Sequence, residues 1–230
     1  MRDTRLPPCA ARTARGFTLV ELMVAIAVMG LMALLSWRGL DGMVRAQEQT
    51  RQRADQLLVL QAALGQWGAD LDALLPLPHT TPIDWDGQVL RMTRRGQASS
   101  MEGALVVAWA RRNVEGQDQW LRWQSPPLRT RAQWQQAWQQ AALWARNPGD
   151  AERRTEVALI PLTGWNIYFY RDNAWSNPMS SSGPPPGDAA ATSVLIPDGV
   201  RLQLDLPPGQ ALAGQITRDW VNPLKGGGKT

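Results

Sequence analysis

The sequence predicts an α+β protein: a long N-terminal α-helix, suited to a membrane in its first half, packs its second half on an antiparallel β-sheet domain. Three observations predict this. An apolar run from Phe17 to Leu35 contains a single charge, Glu21. A helical apolar stripe continues past it as far as Leu74. Beyond Pro76, short apolar or alternating runs are separated by Gly-, Pro- and Asn-containing turns. The expected organisation is a basic leader at 1–16, a helix at 17–75 with its membrane segment at 17–35, a mainly β domain at 76–220 with one helix near 131–146, and a flexible tail at 221–230.

The leader carries Arg2, Arg5, Arg12 and Arg15 against Asp3 alone, and without it the net charge falls from +4 to +1. The basic character therefore belongs mostly to the first sixteen residues, and the remainder gives no reason to expect a nucleic-acid partner. Cys9, the only cysteine, lies in the same leader, so no intrachain disulfide can form. Hydrophobic residues make up 44% and charged residues 19%, a balance that supports a packed core rather than a disordered chain. Twelve tryptophans against two phenylalanines and two tyrosines point to indole-rich core packing, with an indole-lined binding groove as the alternative.

As a helix, Phe17 to Leu35 would span roughly 28 Å, close to the thickness of a hydrocarbon core. Arginines before it and none within it direct the leader to the cytoplasm and the rest of the chain across the membrane. A secretory signal would have a shorter apolar stretch and a small-residue cleavage site after it. Here a helical pattern follows instead. Glu21 is the unusual residue, because a carboxylate at the start of a membrane span costs several kcal/mol without a partner. If the chain were cut after Gly16, the new Phe17 amine of a neighbouring subunit could pair with it in low dielectric. Alternatively, the carboxylate reaches the interface.

Leu57, Leu60, Leu64, Trp67, Leu71 and Leu74 recur in steps of three and four, with Arg51, Arg53, Asp55, Gln56, Gln66 and Asp70 off the stripe. Pro76 and Pro78 end the helix. From Phe17 to Leu75 it would run roughly 88 Å if unbroken, with Gly39 and Gly42 as the points where it could bend. A helix of that length cannot bury its first half in a small domain, so that half belongs in lipid or among neighbouring helices.

The domain reads as strands at 104–109 and 119–123, joined by a turn at Gly116; at 156–160 and 165–170, flanking Thr163-Gly164; at 200–206, after Asp198-Gly199; and around 212–217. Thr130 to Gln133 forms a capping-box pattern before a helix through Trp144, and Asn147-Pro148-Gly149 ends it. Trp134, Trp138 and Ala141 share one face, expected to pack on the sheet, with a partner-binding surface as the alternative. Residues 179–192, with three serines and three prolines in succession, and the tail from Lys225 read as loops.

Arg15-Gly16-Phe17-Thr18-Leu19-Val20-Glu21, following a basic leader and opening an apolar helix, resembles the class III signal of type IV pilins and type II secretion pseudopilins. The resemblance implies a pilin-like fold, with Gly16 as the last leader residue and Phe17 as the new N-terminus. A prepilin peptidase would cut between them and methylate the Phe17 amine, and Glu21 would be the assembly carboxylate. Trp37-Arg38-Gly39-Leu40-Asp41, Leu60 through Leu71, Trp175-Ser176-Asn177-Pro178, Asp198 to Leu202 and Arg218-Asp219-Trp220 are similar to the minor pseudopilin J pattern. The helix at 134–144 and the proline-rich loop depart from it. The J resemblance implies a single-pass protein of the bacterial inner membrane with its domain in the periplasm, later part of a pseudopilus. Its partners would be I- and K-type minor pseudopilins and the other pseudopilins at the tip, supporting protein export. The alternatives are a minor pilin of a type IV pilus and, further off, a membrane-tethered periplasmic binding or hydrolase domain.

No catalytic, cofactor or metal site is expected. His79 is the only histidine and reads as a loop residue. Asp84-Trp85-Asp86-Gly87 resembles a fragment of a calcium loop without its further ligands. Ser180, Ser181 and Ser182 have no nearby base to activate them. A tethered hydrolase would need a convergent polar cluster, which the sequence does not show.

Overall fold

The computed structural model describes residues 16–96, 103–179 and 196–225. The chain divides into two units, Met1–Gln52 and Arg53–Thr230. One helix, α1 (Leu19–Asp72), runs through Gly30, Gly39 and Gly42 without interruption. Each glycine costs about 1 kcal/mol relative to alanine, and strong helix formers on both sides carry the helix across. The helix therefore does not break at Gly39 or Gly42, the points where it could have bent.

The second unit contains two antiparallel sheets rather than one. The first comprises β1 (Ile83–Trp85), β2 (Val89–Arg95), β3 (Ala104–Val114), β4 (Gln117–Gln124) and β5 (Val157–Pro161), paired in chain order. The second has the order β7 (Ala174–Ser176), β6 (Gly164–Arg171), β8 (Gly199–Leu206) and β9 (Gly214–Val221). Two helices, α2 (Arg131–Arg146) and α3 (Asp150–Thr155), lie between β4 and β5. The runs on either side of Thr163-Gly164 thus belong to different sheets, and the last strand reaches Val221 rather than stopping near Thr217. The expected tail at 221–230 begins later than predicted: Asn222 is buried and Lys225 pairs with Asp198 at 2.6 Å. Residues 180–192 of the predicted proline-rich loop lie outside the described residues.

The first sheet is covered on both faces. Val107 and Trp109 of β3 enter one core with Leu60, Ala63, Trp67 and Leu71 of α1 and with residues of the second sheet. Val106, Ala108 and Ala110 enter a second core under α2. This double burial explains why β3 reads as a continuous apolar run. On α2 the alanines Ala137, Ala141 and Ala145 are buried together with Trp134 and Trp144, in one cluster with Ala108 and Ala110. The helix is opened by the predicted capping box, with the Thr130 side chain accepting from the Gln133 N–H. Its indole face packs on the sheet, although Trp138 is only half-buried beside the Arg91 guanidinium. All the tryptophans except Trp37, Trp138 and Trp175 are buried, so their work is chiefly packing. Trp109, Trp120, Trp165 and Trp85 form a chain of ring contacts with centroids 4.4, 6.3 and 4.7 Å apart.

Asp70, expected off the stripe, is completely buried. Its Oδ2 accepts from Arg122 Nε at 2.8 Å and from Trp109 Nε1 at 2.9 Å. Its Oδ1 accepts from Arg122 at 2.9 Å and from Gln66 Nε2, one turn earlier, at 2.9 Å. The buried Arg94 guanidinium also pairs with Oδ1. One carboxylate thereby ties α1 to β2, β3 and β4. Asp72 adds a tie to the second sheet, accepting from Trp220 Nε1 at 2.8 Å.

Asp70→Ala is expected to lower stability by about 3–5 kcal/mol, because it leaves Arg94 uncompensated in the interior and Trp109 without an acceptor. Urea denaturation of the full chain in neutral detergent, followed by tryptophan fluorescence, measures this. A loss below ~1 kcal/mol, the range of an exposed pair, would contradict the structural role given to Asp70.

On β8 and β9, Arg201 donates to both carboxylate oxygens of Asp219 at 2.7 Å, holding that carboxyl below its ordinary 3.8. A lowered carboxyl pKa stabilises the fold above the ordinary carboxylate range, and the contribution is lost as pH falls through the lowered value. Asp219→Asn should flatten this part of the acid limb of a stability–pH profile below about pH 4 while leaving the neutral region's slope unchanged.

Candidate functional site on the N-terminal helix

Gly16 and Phe17 precede the first turn of α1, and Phe17 is 87% exposed. Thr18 stands at the N-cap position with Glu21 three residues on. The Glu21 N–H donates to Thr18 Oγ1 at 3.3 Å, and the Thr18 N–H donates to Glu21 Oε2 at 3.4 Å. This is a reciprocal capping box, reinforced by the Thr18 hydroxyl at 3.3 Å from the same carboxylate oxygen. The positive end of the helix dipole also favours a carboxylate there. This local role of Glu21 adds to those expected from the sequence, and the Thr-x-x-Glu spacing of residues 18–21 is its signal. Its second oxygen, Oε1, has no partner among the described residues.

Every large apolar side chain from Phe17 to Leu35 is exposed, the least being Val28 at 47%. Polar residues are absent from all sides of this segment apart from Thr18 and Glu21, so no solvated face exists. The helix is long and apolar enough to cross a membrane. Charge returns with Arg38, and an exposed pair between Arg45 and Asp41 at 2.8 Å marks the start of an ordinary solvated helix surface. The leader arginines and Cys9 lie outside the described residues.

The other residues considered from sequence have structural surroundings. His79 is exposed in a turn with φ 58°. Asp84 pairs with Arg91, and Asp86 accepts from the N–H groups of Gln88 and Val89 at 3.0 and 2.9 Å, shaping the turn into β2. Among the described residues, no group of three His, Cys, Asp or Glu side chains could hold a metal ion. Ser180, Ser181 and Ser182 lie outside the described residues.

Residues 11–37 match the family model of the prokaryotic N-terminal methylation motif. The chain is 28% identical over 97 residues to type II secretion system protein J of Klebsiella pneumoniae, a match covering 42% of this chain and 46% of that protein. The chain thus spans about half the length of the curated relative it matches. Among solved structures, the complex of GspK, GspI and GspJ from the enterotoxigenic Escherichia coli type 2 secretion system contains a chain with a TM-score of 0.43 and 18% identity. That alignment covers 72% of this chain and 96% of the other. The methylation motif thus stands at the head of an exposed apolar helix, in a chain similar over 97 residues to the J protein of type II secretion systems.

Proposed function

We propose that this chain is a minor pseudopilin of a type II secretion system, made as a precursor and built into a periplasmic pseudopilus. Prepilin peptidase cuts between Gly16 and Phe17 and methylates the new amine. The helix from Phe17 to Leu35 anchors the protein in the inner membrane, with its domain in the periplasm. From there the subunit joins I- and K-type minor pseudopilins at the tip to support protein export. The chain's role is structural rather than enzymatic.

The observation that carries this reading is a methylation motif placed at the start of a helix with no covered face. Such a helix is stable only in lipid or among other helices. Cleavage creates a cation at Phe17, and a neighbour's amine can then take the free oxygen of Glu21. In a low-dielectric bundle that pairing sets the axial register between subunits. The capping box keeps the carboxylate at the helix start until that partner arrives.

Intact-mass analysis of the protein from cells with and without prepilin peptidase tests the first step. The expected product begins at N-methyl-Phe17 only when the peptidase is present; an uncut chain, or one cut after Leu35, would overturn the reading. Glu21→Leu should leave cleavage intact and reduce co-isolation with I- and K-type subunits by roughly tenfold or more, as loss of a desolvated ion pair requires. Unchanged co-isolation would remove Glu21 from assembly.

A further inference from the structure

Most arginines in the sheets of this domain are matched by a carboxylate: Arg91, Arg94, Arg112, Arg122 and Arg201 each hold one. At one place three arginines without such a partner gather. Arg95 at the end of β2, Arg129 in the loop after β4 and Arg131 at the first residue of α2 line a single cleft of about 420 Å³. None of the three guanidiniums makes an ion pair among the described residues, and all three side chains are exposed. No acidic residue lies in the first turn of α2, so the positive end of its dipole adds to the same field. Among the described residues, none that line the cleft is an Asp or Glu.

The cleft is also apolar below the charges. Leu77, Leu128 and Trp134 form part of its wall. Trp134 is held in place by its indole N–H, which donates to Thr93 Oγ1 at 2.9 Å. Leu128 is fixed by reciprocal backbone hydrogen bonds with Ala104 at 3.1 and 2.8 Å. The site therefore has rigid apolar walls with three cations around them.

We propose that this cleft binds an acidic peptide segment of a partner protein, whose carboxylates meet Arg95, Arg129 and Arg131 while an apolar side chain rests against Leu128 and Trp134. Like charges gathered without a counter-charge repel one another, and a ligand supplying carboxylates removes that repulsion as it binds. Guanidinium forks take carboxylates in bidentate geometry. An inorganic anion would leave the apolar wall unused. A nucleic acid would need a basic path along which its backbone could run, and here the cations converge on one cleft. The inference goes beyond the assembly role of α1 and uses none of its residues.

The test uses the full chain in neutral detergent and a fluorescein-labelled peptide of alternating Glu and Leu, read by anisotropy. The triple variant Arg95→Gln, Arg129→Gln, Arg131→Gln should lose about tenfold or more in affinity. Binding to the parent should weaken as salt rises. Arg153→Gln with Arg154→Gln, on the exposed helix α3, should leave binding unchanged. If the triple variant fails to fold, Arg129→Gln alone replaces it, since that side chain stands in a loop, and it should show a smaller loss in the same direction. Equal binding by parent and cleft variants would overturn the proposal, as would equal loss in the α3 variant. Equal binding of a Gln-for-Glu peptide, or displacement of the peptide by an oligonucleotide at lower concentration than by unlabelled peptide, would also overturn it. Cleavage after Gly16 and the Glu21-dependent co-isolation are read separately, so failure here leaves the assembly reading standing.

Discussion

The arrangement of the second unit depends on one carboxylate. Asp70 sits with no solvent exposure on the buried face of α1 and accepts hydrogen bonds from side chains of β2, β3 and β4. Apolar contacts alone would tolerate a helix rotated or slid by part of a turn, because leucine and tryptophan surfaces are non-directional. Two guanidinium partners and an indole N–H fix both rotation and height. A buried charge is costly, and its use here is specificity: the network is satisfied at every carboxylate oxygen, and it discriminates against other positions of the helix on the sheet.

The same helix is covered by strands along one face near its C-terminal end and bare near its N-terminal end. From Leu60 to Leu71 its buried face is covered by strands, while from Phe17 to Leu35 no side chain is covered at all. The capping box formed by Thr18 and Glu21 closes the first turn, satisfying donors that lipid could not. Glu21 has a local task at the helix start, and the pairing proposed with a neighbour's amine would add an intermolecular one. The carboxylate geometry suits both, since the capping contact uses Oε2 only.

How far the fold was legible follows from which signals are local. The apolar run after Gly16, the proline stop at Pro76 and the Thr130–Gln133 capping box are each complete within a few residues; the structure starts helices at the first and the last, and α1 ends at Asp72, shortly before Pro76. β3 was legible because burial on both faces leaves an unbroken apolar run. β1 and β2 were missed because Arg91, Arg94 and Arg95 interrupt the apolar pattern, and the Asp70 that pairs with Arg94 lies 24 residues away. Asp70 was placed off the stripe for the same reason. A signal did exist: Arg94 has the same parity as Leu90 and Met92, and Arg122 the same parity as Trp120, so both had to face the core with an acid opposite them. The split into two sheets rests on the turn at Leu162 and Thr163 changing partners, which strand patterning does not encode. The methylation motif at residues 11–37 was the most legible feature, because it is complete within a short linear stretch.

The most direct test of the account lies in the membrane half of α1. Removal of the leader takes away Cys9, so the mature chain contains no native cysteine and single replacements report cleanly. Cysteines placed one at a time from Met23 to Leu34, each paired with a cysteine at matching depth in an I-type subunit, can be oxidised in cells with and without prepilin peptidase. The account predicts peptidase-dependent disulfides that recur every three or four positions, the spacing of one helix face. Cross-links equally strong at every position, or unchanged without the peptidase, would contradict it.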